Sequence, residues 1–287
     1  MNEIRPSPQN ARPLTDTELE RYARHIVLRE VGGAGQARLL KARVLVVGAG
    51  GLGSPLILYL AAAGVGTIGI ADFDRVSLSN LQRQIAHRTK DIGRLKTDSA
   101  ADAARAINPG VTVLPLSERF SAENALSLME GYDIVADGSD NFATRFLVND
   151  ACYFAGKPLV SAAVTEFDGQ LATFKARAGS AQQYPCYRCL FPEAPPPEDA
   201  PNCSETGILG AASGVMGTLQ ALEVMKEILG VGGSLAGRLL IYDALGTVFR
   251  TVKVPPDPAC RLCGPGASIR DLSVHRRKSE EGCLTGT

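Results

Sequence analysis

The stretch Arg43–Gly53 reads RVLVVGAGGLG, and it decides the fold. Its first five residues form a short run of mostly branched apolar side chains, which predicts a strand buried on both faces of a parallel sheet. Gly48, Gly50 and Gly53 follow with GxGxxG spacing. A strand, a glycine loop and a helix in this order predict a site where backbone N–H groups approach phosphate oxygens. NAD, FAD and ATP sites share this pattern, so the loop alone does not name the nucleotide.

Alternating strands and helices surround this loop over residues 15–160. Thr15 and Glu18 have the spacing of a capping box, and Ser54-Pro55 suits the N-cap and first position of the helix after the loop. The apolar runs and polar breaks predict helices at 15–40, 54–63, 96–107 and 121–130, and strands at 43–47, 67–72, 111–116 and 134–136. This alternation predicts a doubly wound, Rossmann-like α/β fold with a parallel sheet.

The second half of the chain has a different rhythm. One hairpin pattern spans 159–174 and turns around Asp168-Gly169, and another spans 239–254 and turns at Ala244–Thr247. Between them, residues 217–229 carry apolar side chains at helical spacing. Antiparallel strands are therefore expected to extend the mostly parallel sheet. We expect a disordered N-terminus at 1–14, a single domain at 15–264 and a flexible tail at 265–287.

Composition sets limits on function and location. The 287 residues are 45% hydrophobic, and 30 basic side chains balance 30 acidic ones, so no global field attracts nucleic acid or membrane. Residues 1–14 lack the apolar core of a signal peptide. The uncharged stretch 54–71 is split by Gly64 and Gly66, which favours a helix followed by a strand over a membrane span. We therefore expect a cytoplasmic enzyme whose seven cysteines are reduced.

Four cysteines form two Cys-x-x-Cys pairs, Cys186 with Cys189 and Cys260 with Cys263. Two such turns supply the four soft ligands of a tetrahedral zinc ion, so we predict a structural zinc clasp. The residues between the pairs, 190–259, exceed the usual zinc-ribbon interval, and the metal would join distant segments. The alternative is a thioredoxin-like redox site, which needs one pair rather than two.

Polar residues after the second predicted strand suit a triphosphate. Asp72 ends that strand, where an acidic side chain accepts the ribose hydroxyls, and Asp74 is the near alternative. Asn80, Arg83 and Lys96 follow, and their polar or cationic groups match phosphates better than a nicotinamide. Each of them alone could equally be an ordinary surface residue.

Asp140 and Asn141 follow the strand at 134–136. Asp140 therefore projects from the carboxyl edge of the sheet, where open α/β folds bind ligands. A carboxylate there can hold Mg²⁺ and so neutralise phosphate charge. The alternative is that Gly138–Asn141 forms only a turn and a helix N-cap.

From about Leu19 to Gly264 the chain resembles the ThiF/MoeB/HesA family of adenylyltransferases, bacterial relatives of ubiquitin-activating enzymes. The resemblance rests on the glycine loop, a short motif around Arg24, the acidic pair Asp72 and Asp74, the segment SNLQRQ at 79–84, Asp140-Asn141 and both cysteine pairs. These motifs occur in order along one chain, which makes the match specific.

The resemblance implies a nucleotidyltransferase that uses ATP and Mg²⁺ to adenylate the C-terminal Gly-Gly carboxylate of a ubiquitin-like sulfur-carrier protein, with release of pyrophosphate. It implies a structural zinc ion on the four cysteines. Arg24 corresponds to an arginine that reaches the nucleotide of the neighbouring subunit, which implies a homodimer. The nucleotide contacts it implies are Gly51, Asp72, Ser79, Asn80, Leu81, Gln82, Arg83, Lys96, Asp140 and Asn141, and the glycine spacing adds Gly48, Gly50 and Gly53.

Cys203 lies where sulfur-transferring relatives place a thiol that attacks the acyl-adenylate, although adenylation itself needs no such nucleophile. Cys152 is expected in the core, and Cys283 has no expected role. Fused relatives continue into a rhodanese domain after the second cysteine pair, so a separate sulfur donor is expected here.

Four functional hypotheses follow. The first is activation of a MoaD-like carrier for molybdenum cofactor synthesis. The second is a ThiS-type carrier of thiamine thiazole synthesis, with sulfur transfer through Cys203. The more distant ones are an NAD-dependent oxidoreductase and a non-catalytic zinc scaffold that binds a carrier.

Overall fold

A computed structural model describes residues 13–177, 183–195 and 207–276 of the chain. One sheet of eight strands forms its centre. In chain order the strands are β1 (Arg43–Val47), β2 (Thr67–Ala71), β3 (Thr112–Leu116), β4 (Ile134–Asp137), β5 (Leu159–Thr165), β6 (Asp168–Phe174), β7 (Arg238–Asp243) and β8 (Val248–Lys253).

The order across the sheet is β3-β2-β1-β4-β5-β6-β7-β8. Strands β3, β2, β1, β4 and β5 run parallel to one another. Strands β6, β7 and β8 follow, each antiparallel to the strand before it. The strand order reverses between β1 and β4, which is the topological switch point of a doubly wound sheet. The predicted mostly parallel α/β fold with an antiparallel extension is confirmed.

Helices cover both faces of the sheet. They are α1 (Asp16–Arg21), α2 (Ala23–Ile26), α3 (Gly32–Lys41), α4 (Gly53–Ala62), α5 (Lys96–Ile107), α6 (Ala125–Met129), α7 (Phe142–Ala155), α8 (Tyr187–Leu190) and α9 (Gly210–Leu229). One apolar core lies beneath α3, α4, α5 and α9, and a second lies beneath α6, α7 and α8. Burial of both sheet faces explains why β1 and β2 are almost entirely apolar.

The carboxyl ends of three parallel strands meet at one edge of the sheet. Val47 at the end of β1 is level with Ala71 of β2 on one side and with Asp137 of β4 on the other. The loops that leave these strands carry the glycine motif, Asp72 and Asp140 respectively. The register of the sheet thus gathers three segments that are far apart in sequence.

The first predicted helix is three helices. The capping box is present, with Glu18 N–H donating to Thr15 Oγ1 and the Glu18 carboxylate accepting from Thr15 N–H. The helical pattern breaks near Gly32, whose φ of +58° is a left-handed conformation that favours glycine. The prediction of one continuous helix at 15–40 was therefore wrong.

Two further boundaries differ because glycine and asparagine have local roles. The helix α9 begins at Gly210 rather than 217. Gly217 lies inside this helix, where a Cβ would lie 2.3 Å from Leu52 O, so glycine there permits close packing against the start of α4. The helix α6 is short because Asn124 Oδ1 accepts the N–H of Ser121, which forms a turn instead of a helical start.

The turn of the first hairpin lies at Glu166 and Phe167, because Asp168 already pairs with Thr165. Glu166 has a φ of +50°, as the tight two-residue connection requires. The predicted turn at Asp168-Gly169 was two residues late. The second hairpin turns where it was predicted, between Asp243 and Val248.

Residues 265–276 pack against the domain, although they were assigned to a flexible tail. Ile269 and Leu272 are buried, and a short 3-10 helix spans Leu272–His275. The predicted disordered segment lies almost wholly outside the described residues. Within residues 13–177, 183–195 and 207–276, the structure has no helix with the length and apolar character to cross a membrane.

Candidate functional site

The glycine loop connects β1 to α4 through a tight turn. Gly48 has a φ of +93°, which only glycine adopts without strain. A Cβ on Gly53 would lie 1.9 Å from Gly48 O, so glycine allows the helix to begin directly against the loop. The helix starts at Gly53 with Leu52 as its N-cap, not at Ser54 as predicted. The start of α4 and its N–H groups thus lie beside the loop that lines the cavity described below.

Asp72 holds the loop in place. Its Oδ2 accepts the N–H of Ala49 at 2.8 Å, and its Oδ1 accepts the N–H of Asp74 at 2.9 Å. Burial raises the pKa of Asp72, and the nearby Lys96 ammonium offsets part of that rise. Each carboxylate oxygen has further acceptor capacity, so Asp72 can fix the loop and still bind a hydroxyl.

Two cations lie close to the loop. Lys96 begins α5, is almost buried, and its Nζ lies 2.8 Å from Asp74 Oδ2. Arg83 donates to Ser79 O at 3.2 Å and passes beside Gly51. A phosphate group could compete with these neutral or half-exposed partners for both cations.

Side-chain hydrogen bonds of Asn80 and Gln82 hold the segment 79–84 in place. Asn80 Oδ1 accepts the N–H of Ser77, and Gln82 Nε2 donates to Ile208 O at 3.5 Å. A Cβ on Gly210 would lie 2.3 Å from Gln82 O, which explains the glycine at the start of α9. Several predicted contact residues therefore support the site from outside it.

Asp140 and Asn141 lie between β4 and α7. Asn141 is the N-cap of α7, since its Oδ1 accepts the N–H of Thr144 at 2.9 Å. Its Nδ2 lies 3.3 Å from Asp140 Oδ1. The Asp140 carboxylate is exposed, and the capping alternative therefore describes Asn141 but not Asp140.

One cavity of about 780 Å³ joins these groups. Its wall contains residues from all three loops at the carboxyl edge and from the start of α5. The predicted site residues that line it are Gly48, Gly50, Gly51, Asp72, Arg83, Lys96, Asp140 and Asn141. The predicted residues that do not line it are Arg24, Gly53, Ser79, Asn80, Leu81 and Gln82.

Two unpartnered polar atoms also lie at this cavity. Gln84 Oε1 and Ser139 Oγ are buried and have no hydrogen-bond partner among the described residues. Buried polar atoms normally have a partner, so these two are suited to a polar ligand or water. Gln84 belongs to the quoted SNLQRQ motif, but its side chain was not singled out.

His87 supports the loop from beneath. Its Nε2 donates to Ala49 O at 3.0 Å, and its Nδ1 lies 3.0 Å from Ser99 Oγ. Because the carbonyl can only accept, the proton is on Nε2. Burial lowers the pKa of His87, which keeps the ring neutral. Sequence reasoning passed over His87 because a lone histidine carries no motif.

Residues 119–123, His275 and Arg276 also line the cavity, and sequence reasoning missed them. Arg119 lies over the Phe73 ring at 3.9 Å, and residues 119–123 line the cavity. Arg276 lies next to this segment, with its Nε 3.8 Å from Glu123 Oε1. No local pattern identifies these residues, because they come from an irregular loop and from the segment expected to be a tail.

A smaller cavity of about 220 Å³ adjoins the first. Arg145 and Val164 line both cavities. The smaller one is mainly apolar and includes the aromatic rings of Phe142, Tyr187 and Phe191. The polar groups that line the larger cavity are thus joined to an aromatic pocket through Arg145 and Val164.

The four predicted metal ligands converge. The Sγ atoms of Cys186, Cys189, Cys260 and Cys263 all lie within 4.8 Å of one another, with measured pairs at 3.4, 3.6 and 4.0 Å. A tetrahedron with Zn–S bonds of about 2.3 Å has edges of about 3.8 Å, whereas a disulfide is about 2.05 Å long. The geometry therefore fits a zinc clasp and not a pair of disulfides.

Hydrogen bonds among the four thiols divide them into two pairs. They lower the pKa of Cys189 to about 7 and the pKa of Cys260 further, and they raise the pKa of Cys186 and Cys263, so only two of the four thiols favour the thiolate form before a metal ion binds. Cys152 is buried in the core, as predicted, and burial raises its pKa well above the ordinary value. Cys203 and Cys283 lie outside the described residues.

Known proteins resemble this chain in both sequence and fold. The model of the ThiF family matches residues 22–262. "Sulfur carrier protein adenylyltransferase" of Thermus thermophilus is 48% identical over 258 residues, which cover 90% of this chain and 95% of the relative. "SAMP-activating enzyme E1" of Haloferax volcanii is 49% identical over 261 residues, with 90% and 94% covered.

The fold has relatives among solved structures as well. A crystal structure of E. coli MccB with ATP superposes with a TM-score of 0.72 at 22% identity, covering 85% of this chain and 74% of that one. At this identity the likeness concerns the fold alone. The sequence matches confirm the predicted resemblance and the enzyme class, a nucleotidyltransferase. The chain belongs to the ThiF family.

Proposed function

We propose that this chain is an ATP-dependent adenylyltransferase that activates the C-terminal Gly-Gly carboxylate of a ubiquitin-like sulfur-carrier protein. The observation that carries the proposal is the cavity of about 780 Å³, which gathers the glycine loop, Asp72, Arg83, Lys96 and Asp140. An acidic ribose acceptor, two cations and an exposed carboxylate for a metal ion are the groups that a nucleoside triphosphate needs. The ThiF-family relatives support this reading over an NAD-dependent oxidoreductase.

The proposed reaction needs neither a general acid nor a general base. A carboxylate oxygen of the carrier forms a bond to the α-phosphorus of ATP, and the bond from that phosphorus to the bridging oxygen breaks as pyrophosphate leaves. Negative charge on the phosphate and carboxylate oxygens must be offset as they approach. Arg83 and Lys96 would supply that compensation, so positioning and electrostatics would account for the catalysis.

Asp140 is the residue proposed to hold Mg²⁺. Its carboxylate is exposed at the cavity, and hard oxygen ligands suit this ion. When bound, Mg²⁺ neutralises phosphate charge and favours departure of pyrophosphate. Asn141 would keep Asp140 in place, because its own side chain is held by capping of α7.

The smaller cavity offers a route for the carrier. The carboxylate must reach the nucleotide while the preceding residues of the carrier remain bound. The smaller cavity meets the larger one at Arg145, whose guanidinium donates to Ser139 O at 3.0 Å. We therefore propose that the C-terminal residues of the carrier enter there.

The proposed assembly is a homodimer in the cytoplasm, with a separate protein as sulfur donor. Arg24 lies on α2, is exposed and does not line the cavity of its own chain, which agrees with a role in the site of a neighbouring subunit. Mixing the inactive variants Arg24→Ala and Asp140→Ala tests this. Random exchange of subunits should restore about a quarter of the wild-type activity, and no recovery would argue against a shared site.

The proposed carrier is MoaD-like, with a ThiS-type carrier and sulfur transfer through Cys203 as the alternative. One relative is named as an adenylyltransferase of a sulfur carrier protein, and the other as a SAMP-activating enzyme E1. Incubation with each carrier separates the two hypotheses. A thioester or acyl-disulfide between Cys203 and a ThiS-type carrier, trapped under non-reducing conditions, would support the alternative.

The decisive experiment is exchange of labelled pyrophosphate into ATP. We expect exchange only when a carrier with an intact C-terminal Gly-Gly is present. The same carrier without its last glycine is the matched control. An absence of exchange with every carrier would leave the scaffold hypothesis, and a change in reduced-cofactor fluorescence on binding would favour the oxidoreductase.

A further inference from the structure

The segment Asp271–Arg276 forms part of the nucleotide cavity wall, although it is far from every other wall residue in sequence. It contains a short 3-10 helix, Leu272–His275, which Asp271 caps by accepting the N–H of Ser273. His275 and Arg276 both line the cavity. No motif in the sequence connects this segment with nucleotide binding.

A buried carboxylate anchors the segment. Asp150 of α7 is fully buried, and His275 Nε2 donates to its Oδ2 at 2.8 Å. Arg188 of α8 binds the same carboxylate through Nε and Nη2, at 2.8 and 2.7 Å. Asn149 adds a hydrogen bond at 2.9 Å, so both carboxylate oxygens are saturated.

This arrangement keeps Asp150 ionised. Burial alone opposes the charge, but the hydrogen bonds from His275 and Arg188 outweigh it and hold the pKa of Asp150 below its usual value. Leu272 is buried against α7 in the apolar core beneath α6, α7 and α8. A salt-bridged carboxylate and an apolar anchor therefore fix the backbone of the segment next to Arg276.

Arg276 has a side chain that a ligand could recruit. Its Nε lies 3.8 Å from Glu123 Oε1, and both side chains are about two-thirds exposed, at 66% and 64%. An exposed pair at this distance is weak. A phosphate or another anionic group in the cavity would bind the guanidinium more strongly through bidentate hydrogen bonds.

We propose that Arg276 is a nucleotide-binding residue and that His275 positions it through Asp150. This inference rests on the proposed function, since it takes the ligand of the cavity to be a nucleoside triphosphate. Arg276 would add a cation to the part of the cavity lining that Glu123 and residues 119–122 form. The binding site is then completed by a segment that the chain reaches only after the second cysteine pair.

Calorimetric titration of the full chain with Mg²⁺ and ATP tests the inference. A fluorescent ATP analogue is a second probe, because the chain has no tryptophan whose fluorescence would interfere. We expect Arg276→Ala to weaken ATP binding about tenfold. Arg250→Ala, which removes an exposed arginine from the distant strand β8, should leave binding unchanged.

His275 provides the discriminating variants. His275→Ala leaves Asp150 paired with Arg188, so the protein should fold while its ATP affinity falls about as far as in Arg276→Ala. His275→Gln retains a donor for Asp150 and should restore most of the affinity. In pyrophosphate exchange, the KM for ATP should rise with little change in kcat.

The outcomes separate the two proposals. If the wild-type protein does not bind ATP, the proposed function and this inference both fail. If the wild-type protein binds ATP and Arg276→Ala binds it equally well, only this inference is overturned. Equal affinity losses in His275→Ala and His275→Gln would also overturn the positioning role of His275.

Discussion

The glycine-loop edge and the cysteine clasp are built in opposite ways. The glycine-loop edge consists of polar side chains and backbone groups at the ends of parallel strands, and most of them face an open cavity. The clasp joins a turn after β6 to a loop after β8, and its four sulfur atoms already converge. We therefore expect the first region to exchange a ligand and the second to retain a metal ion.

Burial explains this difference. At the clasp, Cys186 and Cys260 are buried among Leu262 and Ile269, so a bound metal would be shielded from competing water. At the loop, Asp140 and Asp74 remain exposed, so a metal or phosphate can enter and leave. The variants below affect one region at a time, and each should leave the other region intact.

The largest effect is expected for Cys186→Ser. Three thiolates cannot complete a tetrahedral site, so zinc content should fall towards zero. The free energy of unfolding should fall by about 4 kcal/mol or more. Metal analysis and denaturant titration measure the two quantities. Cys152→Ala is the matched control, with full zinc content and a loss of about 1 kcal/mol from its core position. Unchanged zinc in Cys186→Ser would refute the clasp.

Gly53→Ala should be next in size. A Cβ would lie 1.9 Å from Gly48 O, so the loop must move and the variant should lose about 3 kcal/mol of stability together with most of its ATP affinity. Gly214→Ala is the control, because nothing lies within 4 Å of its added Cβ and alanine favours the helix. Thermal unfolding and calorimetry distinguish them. Retained zinc in Gly53→Ala would show that the two regions are independent.

Asp140→Ala tests the chemistry rather than the fold. Loss of the proposed Mg²⁺ ligand should reduce pyrophosphate exchange by a factor of about 100 or more while the melting temperature changes little. Glu130→Ala, another exposed acidic residue, should exchange like the wild type. Wild-type exchange in Asp140→Ala would remove this residue from the proposed mechanism.

The smallest effect concerns pH. Burial holds the pKa of His87 below 6.5, so the unfolded chain takes up a proton before the folded chain does. This contribution to stability is fully present above pH 6.5 and is lost as pH falls towards the folded pKa, by at most about 1.4 kcal/mol per pH unit. Denaturant titrations from pH 7.5 to 5 measure it. His87→Gln should flatten the slope, and an unchanged slope would contradict this assignment.

The sequence predicted the residues of the glycine-loop edge better than it predicted the residues that hold this edge in place. Strand β1 and helix α5 have the predicted bounds, and Asp72, Lys96 and Asp140 meet at one cavity as expected. These residues follow strand ends, so the rules for parallel sheets place them together. His87 was missed because its partners, Ala49 O and Ser99, are set by packing and not by spacing.

The C-terminal segment shows the opposite case. Residues after Gly264 lack periodicity, yet Leu272 enters the core and His275 reaches Asp150, 125 positions away in sequence. The pairing depends on a carboxylate whose burial cannot be judged from α7 alone. Helix boundaries at Gly32 and Gly217 were wrong for a related reason, since a glycine can break a helix or permit close packing.

The sequence by itself determined the fold class, and it predicted the glycine loop as a nucleotide site and the four cysteines as metal ligands, because each of these depends on local spacing or on rules of strand order. Only the tertiary structure decided which predicted residues line the cavity, that the thiols converge within 4.8 Å, and that the segment after Gly264 joins the wall. The physical reason is that burial and convergence depend on packing between distant segments, and no local pattern records that packing.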